Sequence, residues 1–168
     1  MISPTGRADG PPVERPVLLL LFSAGGQLYA MESSRVVEVI PRVGLRPLVN
    51  QPAHVAGVLN YRGVVAPVVD LCLLIHGHLC GGHLSSRIVV VSHGNGTASP
   101  RLVGLLAEGV TDTLTRPLSA FHQGGLASAD RPYLAGIALD DRGMVQLLAL
   151  DRLLGHLPLP ALAEPGLP

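Results

Sequence analysis

Apolar residues run along this chain in short stretches broken by Gly, Pro, Asn and Asp, a rhythm that predicts many short strands rather than long helices. The first stretch, Val17-Leu18-Leu19-Leu20-Leu21-Phe22, predicts a strand over Val17–Ser23. Ala24-Gly25-Gly26 then turns the chain into a second strand, Gln27–Met31. Val36–Ile40 alternates imperfectly as a third strand that Pro41 ends, and Pro47 to Pro52 predicts a loop. Gly57-Val58-Leu59-Asn60-Tyr61-Arg62-Gly63-Val64-Val65-Ala66-Pro67-Val68-Val69-Asp70-Leu71 reads as two buried strands interrupted by an Asn-Tyr-Arg-Gly turn. Asp70 precedes Leu71 to Ile75 as an N-cap residue precedes a helix, so a short helix closes the first half.

The second half continues in the same style, with strands expected at Arg87–Ser92, Leu102–Ala107, Val110–Thr115, Leu134–Leu139 and Val145–Ala149. Gly94-Asn95-Gly96 and Asp140-Asp141-Arg142-Gly143 supply turn chemistry between them. Asp151 to Gly155 reads as a terminal helical turn closed by its glycine. Residues 1–16, rich in Pro and Gly, are expected to form a disordered tail, and 156–168, with Pro158, Pro160, Pro165 and Pro168, a second one. That leaves 17–155 as a single domain. Neither half repeats the other residue by residue.

Composition narrows the function classes. Hydrophobic residues make up 48% of the 168 and aromatics only 3%, so Val, Leu, Ile and Ala must fill the core, which suits strands. The 12 basic residues, all arginine, balance 12 acidic ones. With no basic stripe, the electrostatic footprint of a nucleic-acid binder is missing, and an anionic membrane has nothing extended to attract. Val17 to Phe22 is too short for a signal core or a spanning helix, so no direct membrane insertion is expected. Two cysteines, Cys72 and Cys80, make no disulfide framework, which points to a reducing cytoplasm.

No catalytic motif stands out: there is no nucleophile elbow, phosphate loop, zinc-protease helix or dinucleotide fingerprint. Asp140-Asp141 are paired acids, but their neighbours Arg142 and Gly143 make them a solvated turn. Cys72, His76, His78, Cys80 and His83 carry zinc's preferred ligand types at short range, so a small metal-binding β-barrel protein is the alternative reading. The spacing matches no established zinc motif, and Gly77, Gly81 and Gly82 raise the cost of ordering the loop. No metal or other cofactor is therefore expected. The remaining distinctive feature is Arg62, a single cation amid apolar sequence, beside a glycine free to take a positive φ. By itself the turn reads either as a solvated hairpin tip or as a rigidly displayed arginine fork.

Together with Leu28-Tyr29-Ala30-Met31 and Val36-Val37-Glu38-Val39-Ile40, the Gly57–Leu71 stretch resembles the CheW-type coupling proteins of bacterial chemosensory arrays. Leu102-Val103-Gly104-Leu105-Leu106-Ala107-Glu108-Gly109-Val110 and Tyr133-Leu134-Ala135-Gly136 continue the likeness, which runs from about Val17 to Gly155. The resemblance implies a mainly β fold, two SH3-like five-stranded barrel subdomains sharing a hydrophobic core with a few short helices. It implies a non-catalytic adaptor that couples the cytoplasmic hairpin tips of chemoreceptors to the regulatory domain of a CheA-type histidine kinase and joins other CheW-like domains in an array. Matched by position, Val36, Glu38, Gly57 and Arg62 fall where the family couples to receptor and kinase, with Asn60 and Gly63 completing the turn. At strand spacing Val36 and Glu38 share a face, and the positions matched by resemblance imply a partly exposed ion pair between Glu38 and Arg62. Tyr61 stands where the family usually has Leu, Cys72 where it has Arg, and Ala107-Glu108 where Val-Asp is common. With Leu84-Ser85-Ser86-Arg87-Ile88, these departures resemble the stand-alone adaptors of Wsp-type surface-sensing pathways.

Overall fold

The computed structural model describes residues 13–94, 100–124, 129–160 and 162. Most of both expected tails, and Asn95-Gly96 of one expected turn, lie outside the described residues. Among those described, the chain forms β1 (Val17–Ala24), β2 (Gln27–Glu32), β3 (Val36–Pro41), β4 (Val55–Tyr61), β5 (Val64–Asp70) and α1 (Leu71–His76). It continues as β6 (Arg87–His93), β7 (Arg101–Ala107), β8 (Gly109–Arg116), β9 (Leu134–Asp140), β10 (Gly143–Leu148) and α2 (Leu150–His156). The fold is mainly β, as expected.

The strands make two five-stranded sheets, in the orders β8-β1-β2-β10-β9 and β3-β6-β7-β5-β4. The division does not follow the two halves of the sequence. The second sheet is built from the middle of the chain and the first from both ends, because β2 pairs in parallel with β10. Both orders share one plan: a hairpin (β9–β10, β4–β5) joins a parallel partner (β2, β7), which continues through two antiparallel neighbours. The repetition that the residues hide is therefore present in the topology. Neither sheet closes through a backbone ladder between its edge strands. Instead, side chains cross the opening, so each subdomain is a five-stranded sheet curled toward a barrel.

Burial explains the long apolar run of β1. Val17, Leu19 and Leu21 face a small core inside the first sheet, shared with Ala30, Phe121, Ala138, Val145 and Leu147. Leu20, Phe22 and Ala24 face the larger core, where Tyr29 and Met31 of the same sheet meet Leu59, Val68, Ile88 and Leu105 of the other. A strand buried on both faces needs no polar alternation. The larger cluster is the core the two subdomains share.

The helices follow their caps. Asp70 accepts a hydrogen bond from the Leu73 amide (3.0 Å), as its position before an apolar run predicts, and Gly77 ends α1 in the left-handed conformation at φ +78°. The terminal helix corrects the sequence reading, since α2 runs through Gly155 to His156. Leu150, Leu153, Leu154 and then Leu157 are buried in the shared core, and that packing carries the chain past the glycine. The boundary expected after residue 155 thus falls inside a packed helix.

Cys72 and Cys80 supply a second correction: they are joined as a disulfide with Cα atoms 5.0 Å apart. The absence of a cysteine pattern predicted unpaired thiols. The turn after α1 brings the two together, and both Asp70 oxygens accept the Cys80 amide (3.3 and 3.1 Å), which fixes the loop against the helix start.

Candidate functional site

The hairpin between β4 and β5 is tighter than its sequence suggests. Tyr61 pairs with Val64, so Asn60 and Tyr61 are strand residues and only Arg62 and Gly63 form the loop. Both have positive φ, +51° and +87°, which suits a two-residue turn following the strand twist. Asn60 supports it, its Oδ1 accepting the Gly63 amide at 2.8 Å. Arginine in a left-handed conformation is uncommon, and this one is held by its side chain as well as by its backbone.

Two contacts position the guanidinium. Arg62 Nη2 lies 3.0 Å from Glu38 Oε2, the ion pair expected between these two family-matched positions. Its Cζ also sits 5.2 Å from the centre of the Tyr61 ring, in cation–π range. The Tyr61 hydroxyl donates to the same Glu38 oxygen, and that bond, followed by burial, pushes the tyrosine pKa up. Glu38 therefore receives a hydroxyl and a guanidinium across the gap between edge strands β3 and β4. The Arg62 side chain is 75% exposed, so the pair contributes at most about 1 kcal/mol to stability and its value lies in geometry. Tyr61 is the residue that sequence reasoning missed. Its signal was the aromatic standing where the family pattern has leucine.

Val36 and Gly57 sit apart from this cluster. A register shift between Val36 and Glu38 places a bulge at Val37, so simple alternation does not put Val36 and Glu38 on one face. Val36 packs against the shared core. Gly57 has φ +146°, and a Cβ there would stand 2.6 Å from the Arg46 carbonyl oxygen. That approach lets Arg46 and Val58 exchange two backbone hydrogen bonds, at 2.9 and 2.8 Å, tying the loop after β3 to β4. Gly57 is thus a close-approach glycine behind the Arg62 tip.

The first sheet carries a counterpart. Arg142, in the β9–β10 turn, pairs with Asp112 on edge strand β8, as Arg62 pairs with Glu38 on edge strand β3. Arg116 adds a bond to the Leu139 carbonyl at 2.9 Å, so the second opening is also bridged by side chains. Asp140, part of the acidic turn, lies 3.9 Å from both Arg116 and Arg142 and belongs to this bridge.

The cysteine and histidine residues do not converge as one ligand set. The two sulfurs are bonded to each other, His76 Nε2 lies 2.9 Å from the Tyr29 hydroxyl, and His78 Nδ1 is 3.3 Å from the Leu79 carbonyl. The one group of potential ligands among the described residues is Asp70, Cys72 and Cys80, and its carboxylate is already engaged by the Leu73 and Cys80 amides. This geometry gives the metal-binding alternative no support.

Comparison with known proteins agrees with the resemblance seen in the residues. Residues 18–157 match the model of the CheW-like domain family. The chain is 31% identical over 135 residues to the chemotaxis protein CheW of Rhizobium meliloti, covering 79% of this chain and 84% of that protein. It is 32% identical over 138 residues to the protein FrzA of Myxococcus xanthus, covering 79% and 82%. The CheW of Klebsiella aerogenes is 26% identical over 141 residues, with 80% of each chain covered. The crystal structure of the scaffolding protein TtCheW from Thermoanaerobacter tengcongensis superposes with a TM-score of 0.71 at 22% identity, over 89% of this chain and 93% of that one, a likeness of fold. These names carry the chemotaxis likeness and lend nothing to the Wsp-type one.

Proposed function

The chain belongs to the CheW-like domain family, and from that premise we propose that the Arg62 hairpin is the surface through which it couples the cytoplasmic hairpin tip of a chemoreceptor to the regulatory domain of a CheA-type histidine kinase. The family is one of non-catalytic scaffolds and adaptors in chemotaxis signalling, and this protein is a member with the family's fold over most of its length. The observation that carries the proposal is the hairpin: an exposed guanidinium aimed by Tyr61 and Glu38 on a two-residue turn. An arginine pre-organised in this way loses little side-chain entropy on docking, which is how interface arginines come to dominate binding energy. Glu38, Asn60, Arg62 and Gly63 act directly or through the turn, Gly57 holds β4 behind it, and Val36 sets the start of β3. Arg142 and Asp112 give the opposite subdomain a similar end, suited to other CheW-like domains in the array. No described helix is long and apolar enough to cross a membrane. The Cys72–Cys80 disulfide removes the cysteine argument for a reducing compartment, and the proposed cytoplasmic place beside membrane receptors rests on the coupling role alone.

Calorimetry against a receptor signalling fragment and the kinase regulatory domain tests this. Arg62→Ala is expected to stay folded and to weaken binding to at least one partner by about 2 kcal/mol, roughly thirty-fold. Arg62→Lys is expected to restore little, because an ammonium keeps the charge without the planar fork. Wild-type affinity of both folded variants for both partners would reduce Arg62 to a solvated turn residue.

A further inference from the structure

Between β2 and the end of α1 lies a second site that the coupling reading does not use. A cavity of ≈ 530 Å³ opens beside Tyr29, floored by Ile75 and Leu134 and walled by Gln27, His76, Gln146 and the pair Asp130 and Arg131. Polar groups on three elements form a chain along it. Gln146 Nε2 donates to Gln27 Oε1 at 2.8 Å, the Tyr29 hydroxyl lies 3.4 Å from that same oxygen, and His76 Nε2 is 2.9 Å from the hydroxyl. Tyr29 lines this space but is itself buried, 1% exposed. Burial pushes its pKa up to about 12, and burial with the charges of His78 and Arg131 pushes His76 down, so both groups are neutral near pH 7. The hydroxyl proton then goes to the nearer acceptor, His76 Nε2, and the tyrosine oxygen is met by the Gln146 amide.

Spare donors concentrate around that oxygen. Gln146 is engaged with both Gln27 and Tyr29, and the Gln27 amide nitrogen supplies the uncommitted donors. Arg131 is close enough for its charge to act on Tyr29, His76 and Tyr133, yet its guanidinium has no ion-pair or hydrogen-bond partner among the described residues. A planar cation beside neutral amides on an apolar floor is the arrangement that recognises a carboxylate through paired N–H bonds. Asp130 beside it makes the lining neutral overall, which disfavours a dianion and suits a ligand with one net carboxylate charge or a zwitterion.

We propose that this cavity binds a small polar monocarboxylate of the hydroxy-acid or amino-acid kind, with Arg131 holding the carboxylate, Gln27 and Gln146 reading its other polar groups and the buried Tyr29 positioning Gln146. His76 ends the helix that follows β5 of one sheet, while the other polar groups belong to β2, β10 and the segment before β9 of the other. The ligand therefore bridges the two subdomains.

The test uses the whole chain and serine, glycerate and inorganic phosphate as probes, followed by amide resonances in two-dimensional NMR. Serine or glycerate is expected to shift the Gln27 and Gln146 side-chain resonances saturably in the millimolar range, with phosphate at least about tenfold weaker. Arg131→Gln, at an exposed position, and Gln146→Ala are each expected to weaken the carboxylate about tenfold or more while thermal unfolding shows the fold retained. The proposal is overturned if neither carboxylate shifts those resonances, if Arg131→Gln binds as the wild type does, or if phosphate binds as tightly. None of these outcomes bears on coupling through Arg62, because none of the cavity's lining residues contacts Arg62, Glu38 or Tyr61.

Discussion

Replacing Gly57 by alanine separates an architectural glycine from an interface glycine, because the structure assigns a cost to a single added methyl group. At φ +146° an L-residue is strained by about 1–3 kcal/mol before any contact is counted. The new Cβ would also stand 2.6 Å from the Arg46 carbonyl oxygen and 3.1 Å from the Leu45 Cβ. Relief means opening the exchange between Arg46 and Val58, two backbone hydrogen bonds worth about 1 kcal/mol each. The sum is about 3–5 kcal/mol. For a domain of this size it corresponds to a fall in melting temperature of roughly 6–20 °C at about 2–4 °C per kcal/mol. Gly63→Ala is the internal control. Its φ of +87° is also unfavourable, but nothing lies within 4 Å of its added methyl, so about 1 kcal/mol and a few degrees are expected. Calorimetric or circular-dichroism melts of both variants decide the matter. A Gly57→Ala melt within about 2 °C of wild type, or a larger loss for Gly63→Ala, would refute the claim that Gly57 ties the loop to β4.

Asp70→Ala is expected to lower stability by about 2–4 kcal/mol in urea unfolding, since it removes the α1 cap and orphans the buried Cys80 amide, whereas Asp70→Asn keeps an acceptor and loses less. Burial lowers the pKa of both His54 and His76 below 6.5, so the unfolded chain takes up protons first as pH falls. Stability is therefore complete above that value and declines beneath it until the folded imidazoles also protonate. Urea midpoints at about pH 7.5 and about pH 5.5 should differ accordingly, and the double variant His54→Gln/His76→Gln should flatten the difference, provided it folds at the higher pH. Elemental analysis of untagged protein is expected to find less than stoichiometric zinc. One equivalent lost on mutating Cys80 and His78 together would restore the metal-binding reading.

What the sequence determined by itself was mostly local. Strand positions, the Asp70 cap and the left-handed turn at Gly63 depend on residue type and nearby spacing, while the pairing of Glu38 with Arg62, 24 residues apart, was suggested only by the family motif. The tertiary structure decided what depends on residues far apart in the chain. It paired β2 with β10 and so built one sheet from both ends, and it laid α2 through Gly155 onto the shared core. It introduced the bulge at Val37, brought Arg46 against Gly57, and set the Tyr61 hydroxyl on Glu38. Backbone dihedral preferences and caps act over a few residues and leave a trace in the sequence. Pairing register, close approach and side-chain contacts across a barrel opening arise only when the sheets bury their common core, and no short stretch of sequence carries that information.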